Sequence, residues 1–299
     1  MNKIILFFLI LNFGLFNPEA QAQESAQLWI TRGFNQEILL NKEVLLENQS
    51  VMKILQRNAV VKTSFAGSFV TEINGIRAED DKSWFYYVNG CLAQVGALAY
   101  LPKNQDRIWF DFHRWDNAVY ISSVIGSYPE PFLNGCQESV FKTEIFSTEK
   151  LWTQSQRLLE SLTEQGVDKI ELKEYTPLNM FNANAVILIA SWENLKNNPS
   201  IMDAAKNYQK SGFFIKFHDG KLGMLNILGQ EVKSFDHAGA ILALGSGFAG
   251  SPPLWVMTGT DNNEVEKILN LLINEPERIK FHSGIVLSEG EIYNVPIQE

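Results

Sequence analysis

Four histidines, His113, His218, His237 and His282, stand apart with no H-x-H or H-x-x-H spacing, so the sequence offers no paired imidazole ligands for a metal. No G-x-S-x-G, H-E-x-x-H or Walker pattern occurs, and the acidic run Glu79-Asp80-Asp81 falls between strand-like stretches, where a solvated turn or a weak cation site is expected rather than an acid–base pair. Residues 245–250 (GSGFAG) match G-x-G-x-x-G after an apolar strand. A dinucleotide loop must then open into a helix, yet Ser251-Pro252-Pro253 and another strand, LWVMTG, follow, so a strand-to-strand loop is expected. Residues 258–263 (TGTDNN) precede the helical EVEKILNLL and would aim free amides at an anion; the plainer reading makes Thr260 or Asp261 an N-cap. His113, beside Arg114 and Trp115, reads as an exposed strand-end histidine, with a ligand contact as the alternative. No catalytic residue, metal ligand or cofactor is assigned, and the chain is read as something other than an enzyme.

The remaining chemistry is aromatic. Residues 83–115 read SWFYYVNGCLAQVGALAYLPKNQDRIWFDFHRW: two strands of ring-bearing residues, with Asn89-Gly90 supplying the positive φ of a reversal. Period-2 alternation puts Trp84, Tyr86 and Val88 on one face and Phe85, Tyr87 and Asn89 on the other, which is more ring surface than one small core absorbs. The surplus could meet a large planar ligand, pack on a second domain, or fill the groove beneath a helix. A ligand-binding set of Trp84, Tyr86, Tyr87, Asn89, Gln94 and Trp109 is expected, with the rings stacking and the amides giving directional hydrogen bonds. Cys91 and Cys136 are the only cysteines, and an even count in an exported chain suggests one disulfide, two buried thiols being the alternative.

The elements that must position these residues follow from the flanking pattern. Strands at 29–34 and 37–46, the short helix VMKILQRN with Ser50 as its cap, and strands at 70–76, 84–88 and 107–112 give a strand, strand, helix, strands order. This stretch resembles the transcobalamin-like C-terminal domain, a β-grasp module of cobalamin carriers and of many exported bacterial proteins. The shared features are the W-x-Y-Y-V-N-G run from Trp84 to Gly90, Gly96, Tyr100 and the Asp106-Arg107-Ile108-Trp109 strand start, where Gln105 replaces the family's usual glycine. The resemblance covers about residues 28–115 and implies a corrinoid or other large small-molecule partner, because carriers of the family close this module over one face of the corrin. Their helical toroid, which supplies the other wall, has no counterpart here.

From Val140 the texture changes to alternating strands and helices, and the apolar runs AVILIA and AILAL imply a sheet covered on both faces. The fold class expected is therefore α+β and α/β: a β-grasp domain at 28–116, a Pro-containing linker at 117–139, and an α/β domain at 140–299 whose sheet is mostly parallel and covered by helices. Residues 1–22 read as a Sec-type signal peptide, with Lys3 before an apolar run and Ala20-Gln21-Ala22 as the cleavage site; the run falls short of the ~20 residues a bilayer requires. A secreted or extracytoplasmic location follows, with no integral membrane segment after signal removal. Net charge is −9, and the 25 Lys and Arg are dispersed, which excludes a phosphate-tracking surface and hence nucleic acid. An exported, non-catalytic binding protein is the leading reading. The alternative is a cell-surface structural or adhesion module with a cell-envelope partner and no small-molecule ligand.

Overall fold

The structure, a computed structural model, describes residues 23–115, 121–137, 139–177, 184–245 and 252–298. The expected signal peptide and the GSGFAG loop after Gly245 lie outside these residues.

β1 (Ser25–Arg32) and β2 (Glu37–Leu45) form an antiparallel hairpin, and α1 (Val51–Asn58) follows with Val51, Met52, Ile54 and Leu55 buried. Ser50 occupies the cap position, but its side chain makes no cap hydrogen bond. β3 (Val61–Ser64), β4 (Phe69–Ile73) and β5 (Ile76–Arg77) make a small antiparallel sheet; the single strand expected over 70–76 is folded back at Asn74-Gly75, where φ is 50° and 87°. β6 (Lys82–Val88), β7 (Cys91–Leu92) and β8 (Arg107–Arg114) join the first hairpin in a five-stranded sheet of order β2-β1-β8-β6-β7. β8 runs parallel to β1 and antiparallel to β6. Asn89 and Gly90, at φ 52° and 76°, turn β6 into β7, as that dipeptide predicts.

The rest of the chain adds β9 (Thr143–Ser147), α2 (Trp152–Glu164), β10 (Ile170–Glu174), β11 (Ala185–Ile189), and the short helices α3 (Trp192–Leu195), α4 (Pro199–Lys206) and α5 (Tyr208–Ser211). β12 (Ile215–His218), β13 (Lys221–Leu225) and β14 (Glu231–Phe235) form a three-stranded antiparallel sheet. β15 (Gly239–Leu244), β16 (Leu254–Gly259), α6 (Asn262–Asn274), β17 (Gly284–Ser288) and β18 (Glu291–Val295) complete it. The main sheet has seven strands in the order β10-β9-β11-β16-β15-β17-β18. Only its first half is parallel: β10, β9, β11 and β16 pair in parallel, whereas β16, β15, β17 and β18 pair antiparallel. This corrects the mostly parallel order, because β15 pairs antiparallel with both of its neighbours and β18 returns antiparallel to β17 through the short turn at Glu289-Gly290. Between α6 and β17 the chain makes a 3-10 turn, Pro276–Ile279, and β14 and β18 were not foreseen.

Helices cover one face of the main sheet. α2 and α6 press on Ile187, Ile189, Ile241 and Trp255 there. The opposite face is buried in a different way. Val186, Leu188, Leu242 and Val256 share one core cluster with Trp29, Phe34, Tyr87 and Trp109 of the first sheet and with Phe213 and Leu225. Phe281 is the hinge pin of that contact, with ring centroids 5.0 Å from Trp29 and 6.3 Å from Trp109. Residues 121–137 of the expected linker are wedged into the same junction, with Val124, Ile125 and Ser127 fully buried. Gly126 lies so close to the chain at Phe281 and His282 that a Cβ would sit 2.6 Å from the Phe281 nitrogen. No helix among the described residues is long and apolar enough to cross a membrane.

Candidate functional site

Alternation on β6 and β8 sorts the expected site residues onto two faces. The N–H of Asn89 bonds the Arg107 carbonyl while the Tyr86 carbonyl accepts from Ala93, so odd positions of β6 pair with β8 and even ones point their main chain at the outer edge. Tyr87 and Trp109 project into the junction with the second sheet and are fully buried; the Tyr87 hydroxyl donates to the Ile121 carbonyl at 3.0 Å, and the Trp109 indole donates to Thr31 Oγ1 at 2.6 Å. Asn89 is buried too, and its amide is spent on the turn: Nδ2 donates to Asp106 Oδ1 and Oδ1 accepts from the Arg107 N–H, both at 2.8 Å. These three side chains hold the module together and to its neighbour.

Trp84 and Tyr86 take the other face and line a cleft. Its volume is about 370 Å³, and its walls include Phe69 and Val70 of β4, Ser83 to Tyr86, Leu92 to Ala93, Gly96, Ala97, Phe110 and Trp115. Phe110 backs Tyr86 in a stack 5.1 Å between centroids and 17° from parallel, and the Trp84 indole is fixed by donating to the Ile76 carbonyl at 3.0 Å. Phe69 stays 53% exposed at the mouth. Burial raises the Tyr86 phenol well above its ordinary pKa, the hydrogen bond from Gln137 opposing and Asp106 adding to the rise, so the cleft wall stays neutral. The Trp115 indole N–H is buried and has no hydrogen-bond partner among the described residues. Gln94 is exposed beside the cleft, its N–H tied to Gln137 Oε1 at 2.7 Å. Phe69 and Trp115 escaped the sequence reading. Trp115 had a signal, the end of the β8 alternation, while Phe69 reaches the site only through the fold-back of β4.

Two further groupings are visible only in three dimensions. His113, expected to be exposed, is sealed: its ring lies between those of Phe34 and Phe85, at 4.7 and 4.3 Å, and Nδ1 is 2.7 Å from Asp111 Oδ2. Asp111 also accepts from the Phe34 N–H at 2.8 Å and from Thr31, so the pair is a structural knot under the sheet. At the N-terminus of α6, where an anion cradle was the sharper expectation, Asp261 caps the helix by accepting from the Glu264 N–H at 3.1 Å. His237, Asp261 and Glu264 bring potential ligand atoms within 4.8 Å of one another, a cluster the histidine spacing gave no hint of. Lys267 already neutralises Glu264 at 2.7 Å, and the positive end of α6 faces the same spot, so both charges disfavour anchoring a cation there. Cys91 and Cys136 form the disulfide, with Cα atoms 5.6 Å apart, and staple the β7 hairpin to the junction segment.

Residues 48–114 match the family described as a domain of unknown function, DUF4430. Among solved structures, a candidate metal-binding protein from Ruminococcus gnavus is 14% identical over 31% of this chain and 98% of its own, with a TM-score of 0.27. Haptocorrin in complex with Cbi is 16% identical over 31% of this chain, with a TM-score of 0.26, and the match spans 26% of haptocorrin. No match was found among curated proteins.

Proposed function

We propose that this is an exported, non-catalytic binding protein whose N-terminal module is a β-grasp unit of transcobalamin type, and that the cleft beside Trp84 and Tyr86 is where it takes a large planar ligand. A corrinoid is the case that the sequence resemblance raises. Support for the β-grasp reading is the mixed sheet with β1 and β8 parallel at its centre and α1 packed across it. Support for the partition into 28–116 and 140–299 is that each part has a sheet of its own. An extracytoplasmic location is supported by the Cys91–Cys136 bond, since disulfides persist in oxidising compartments.

One observation carries the ligand reading: the cleft has a wall of aromatic rings, Tyr86 stacked on Phe110, with Phe69 and Trp115 at its edges. Flat, predominantly apolar and aromatic surface is the usual lining of a small-molecule site. The described walls all come from residues 68–115, so the second domain acts by holding the sheet rather than by closing the cleft. The test is equilibrium binding of cyanocobalamin and of haemin to the chain lacking residues 1–22. Tyr86→Ala should weaken binding about 10- to 100-fold, as expected for a stacking anchor, and Trp115→Phe by several-fold. Absence of binding to either compound, or variants that bind as well as the parent, would overturn the reading.

A further inference from the structure

A second cavity, of about 440 Å³ and within the range of small-molecule sites, opens at one end of the first sheet and shares no residue with the aromatic cleft. Strand register builds its floor. Gln27 of β1 stands opposite Glu43 of β2 on one side and Arg107 of β8 on the other, so the three side chains form a row on one face, the face that carries Trp29 and Trp109 two residues further along. Those tryptophans are buried against the second sheet, whereas the row is met by Glu130, Leu133 and Asn134 of the junction segment.

The charges that line it are not paired with one another. Arg107 donates from Nη1 to the Ser127 carbonyl at 2.7 Å and to the Tyr128 carbonyl; its Nε and Nη2 make no hydrogen bond, and no carboxylate lies within ion-pair distance, among the described residues. Burial lowers the pKa of this guanidinium and the Glu130 charge opposes the fall, as expected of a cation that is compensated only at a distance. Glu130 is 2% exposed, and among the described residues its carboxylate accepts from Asn134 alone, from the main-chain N–H at 2.9 Å and from Nδ2. Glu43 accepts from Ser25 Oγ and is held by no cation among the described residues. A lone anion in the cavity would meet Glu43 and Glu130, and a lone cation would meet Arg107, whereas a molecule carrying both charges answers the two poles together. The carboxamides of Gln27, Asn104 and Asn134 lie beside them, with donors and acceptors for a polar side chain.

We propose that this cavity binds a zwitterion, a free α-amino acid with a polar side chain, with its carboxylate on the unused edge of Arg107 and its ammonium toward Glu43 and Glu130. The inference does not depend on what the aromatic cleft binds.

Calorimetric titration of the chain lacking residues 1–22 with glutamine, glutaramate and γ-aminobutyramide tests it, since the last two are glutamine without its ammonium and without its carboxylate. Each analogue should bind about 10- to 100-fold more weakly than glutamine, as expected when hydrogen bonds to a charged group are lost. Glu43→Gln/Glu130→Gln should erase the preference for glutamine over glutaramate. Arg107→Lys, which keeps the charge and removes the planar fork, should weaken glutamine and glutaramate about tenfold and leave γ-aminobutyramide unchanged. The melting temperature is checked alongside, because Arg107 also holds two carbonyls; should that variant unfold, the three-ligand series and the double glutamate variant still decide. No detectable binding of glutamine, either analogue binding as tightly as glutamine, or a double glutamate variant that keeps its preference for glutamine over glutaramate would overturn the proposal.

Discussion

Replacing Tyr87 by Phe tests whether the aromatic surplus of the first sheet is the mortar between the two halves of the chain. The Tyr87 ring is fully buried, 5.9 Å from Trp109 and 6.5 Å from Phe34, and its hydroxyl donates to the Ile121 carbonyl at 3.0 Å. Burial first, and the Asp111 charge second, raise the phenol well above its ordinary pKa, so the bond being deleted is one between neutral partners. Phe keeps the ring and removes the oxygen, which loses about 1 kcal/mol for the bond and adds roughly 1–2 kcal/mol for a buried carbonyl without a donor. Tyr87→Ala removes the ring as well, and the cavity between two sheets should cost about 3–5 kcal/mol. Urea unfolding followed by both tryptophan fluorescence and far-ultraviolet circular dichroism is the assay. Because Tyr87 and Trp109 share one core cluster with Val186 and Val256, the two probes should trace a single transition whose midpoint falls in both variants. A Tyr87→Phe change below about 0.5 kcal/mol, or two separated transitions of which the variant moves just one, would refute the claim that this cluster welds the halves.

Three other outcomes are expected. Cys91 and Cys136 close a loop with a sequence separation of 45, so the Cys91→Ala/Cys136→Ala pair should lose about 4 kcal/mol, and non-reducing mass spectrometry of the parent should find no alkylatable thiol. Glu130 is buried, and that burial pushes its carboxyl up to about 7, against donors from Asn134 and the Arg107 charge, with Asp106 adding to the rise. A raised carboxyl stabilises the fold fully below its ordinary value of 4.5 and loses that contribution as the pH climbs through about 7; stability should fall by about 2–3 kcal/mol between pH 4.5 and 8, and Glu130→Gln should flatten the profile in chemical denaturation. Asp111→Ala strands the Phe34 N–H, the Thr31 hydroxyl and His113 in a sealed site, and a loss of about 3 kcal/mol or more is expected by the same measurement; a smaller loss would mean that water reaches the knot.

Period-2 reading of β6 separated the rings correctly: Trp84 and Tyr86 do share a face, and Tyr87 lies opposite. It could not say which face meets another sheet, because alternation is a property of one strand and the identity of the neighbour is a property of the whole chain. Tyr87 and Trp109 were grouped with Trp84 as ligand contacts for that reason, yet Tyr87 packs on Trp109 and Trp109 faces Phe281, a residue well over a hundred positions away. His113 failed in the same way, since a strand-end histidine beside an arginine looks solvated until Phe34 and Phe85 close over it. The segment at 121–137 was read as a linker from its Tyr128-Pro129 and Glu130-Pro131 steps, and a chain rich in such breaks cannot pair in a sheet, but it can still be buried once its main-chain groups find partners. They do, with the Ile125 and Gly126 N–H groups bonding the Ser283 and His282 carbonyls at 3.2 and 2.8 Å and Arg107 reaching back to the Ser127 carbonyl at 2.7 Å. Local turn chemistry is therefore legible wherever a backbone angle demands a residue type, as at Asn89-Gly90 and at Asp219-Gly220. The cleft is legible in part, because Trp84 and Tyr86 belong to one strand while its other walls arrive from β4, from the stretch after the Asn89-Gly90 turn, from Phe110 of β8 and from Trp115, beyond the last residue of β8.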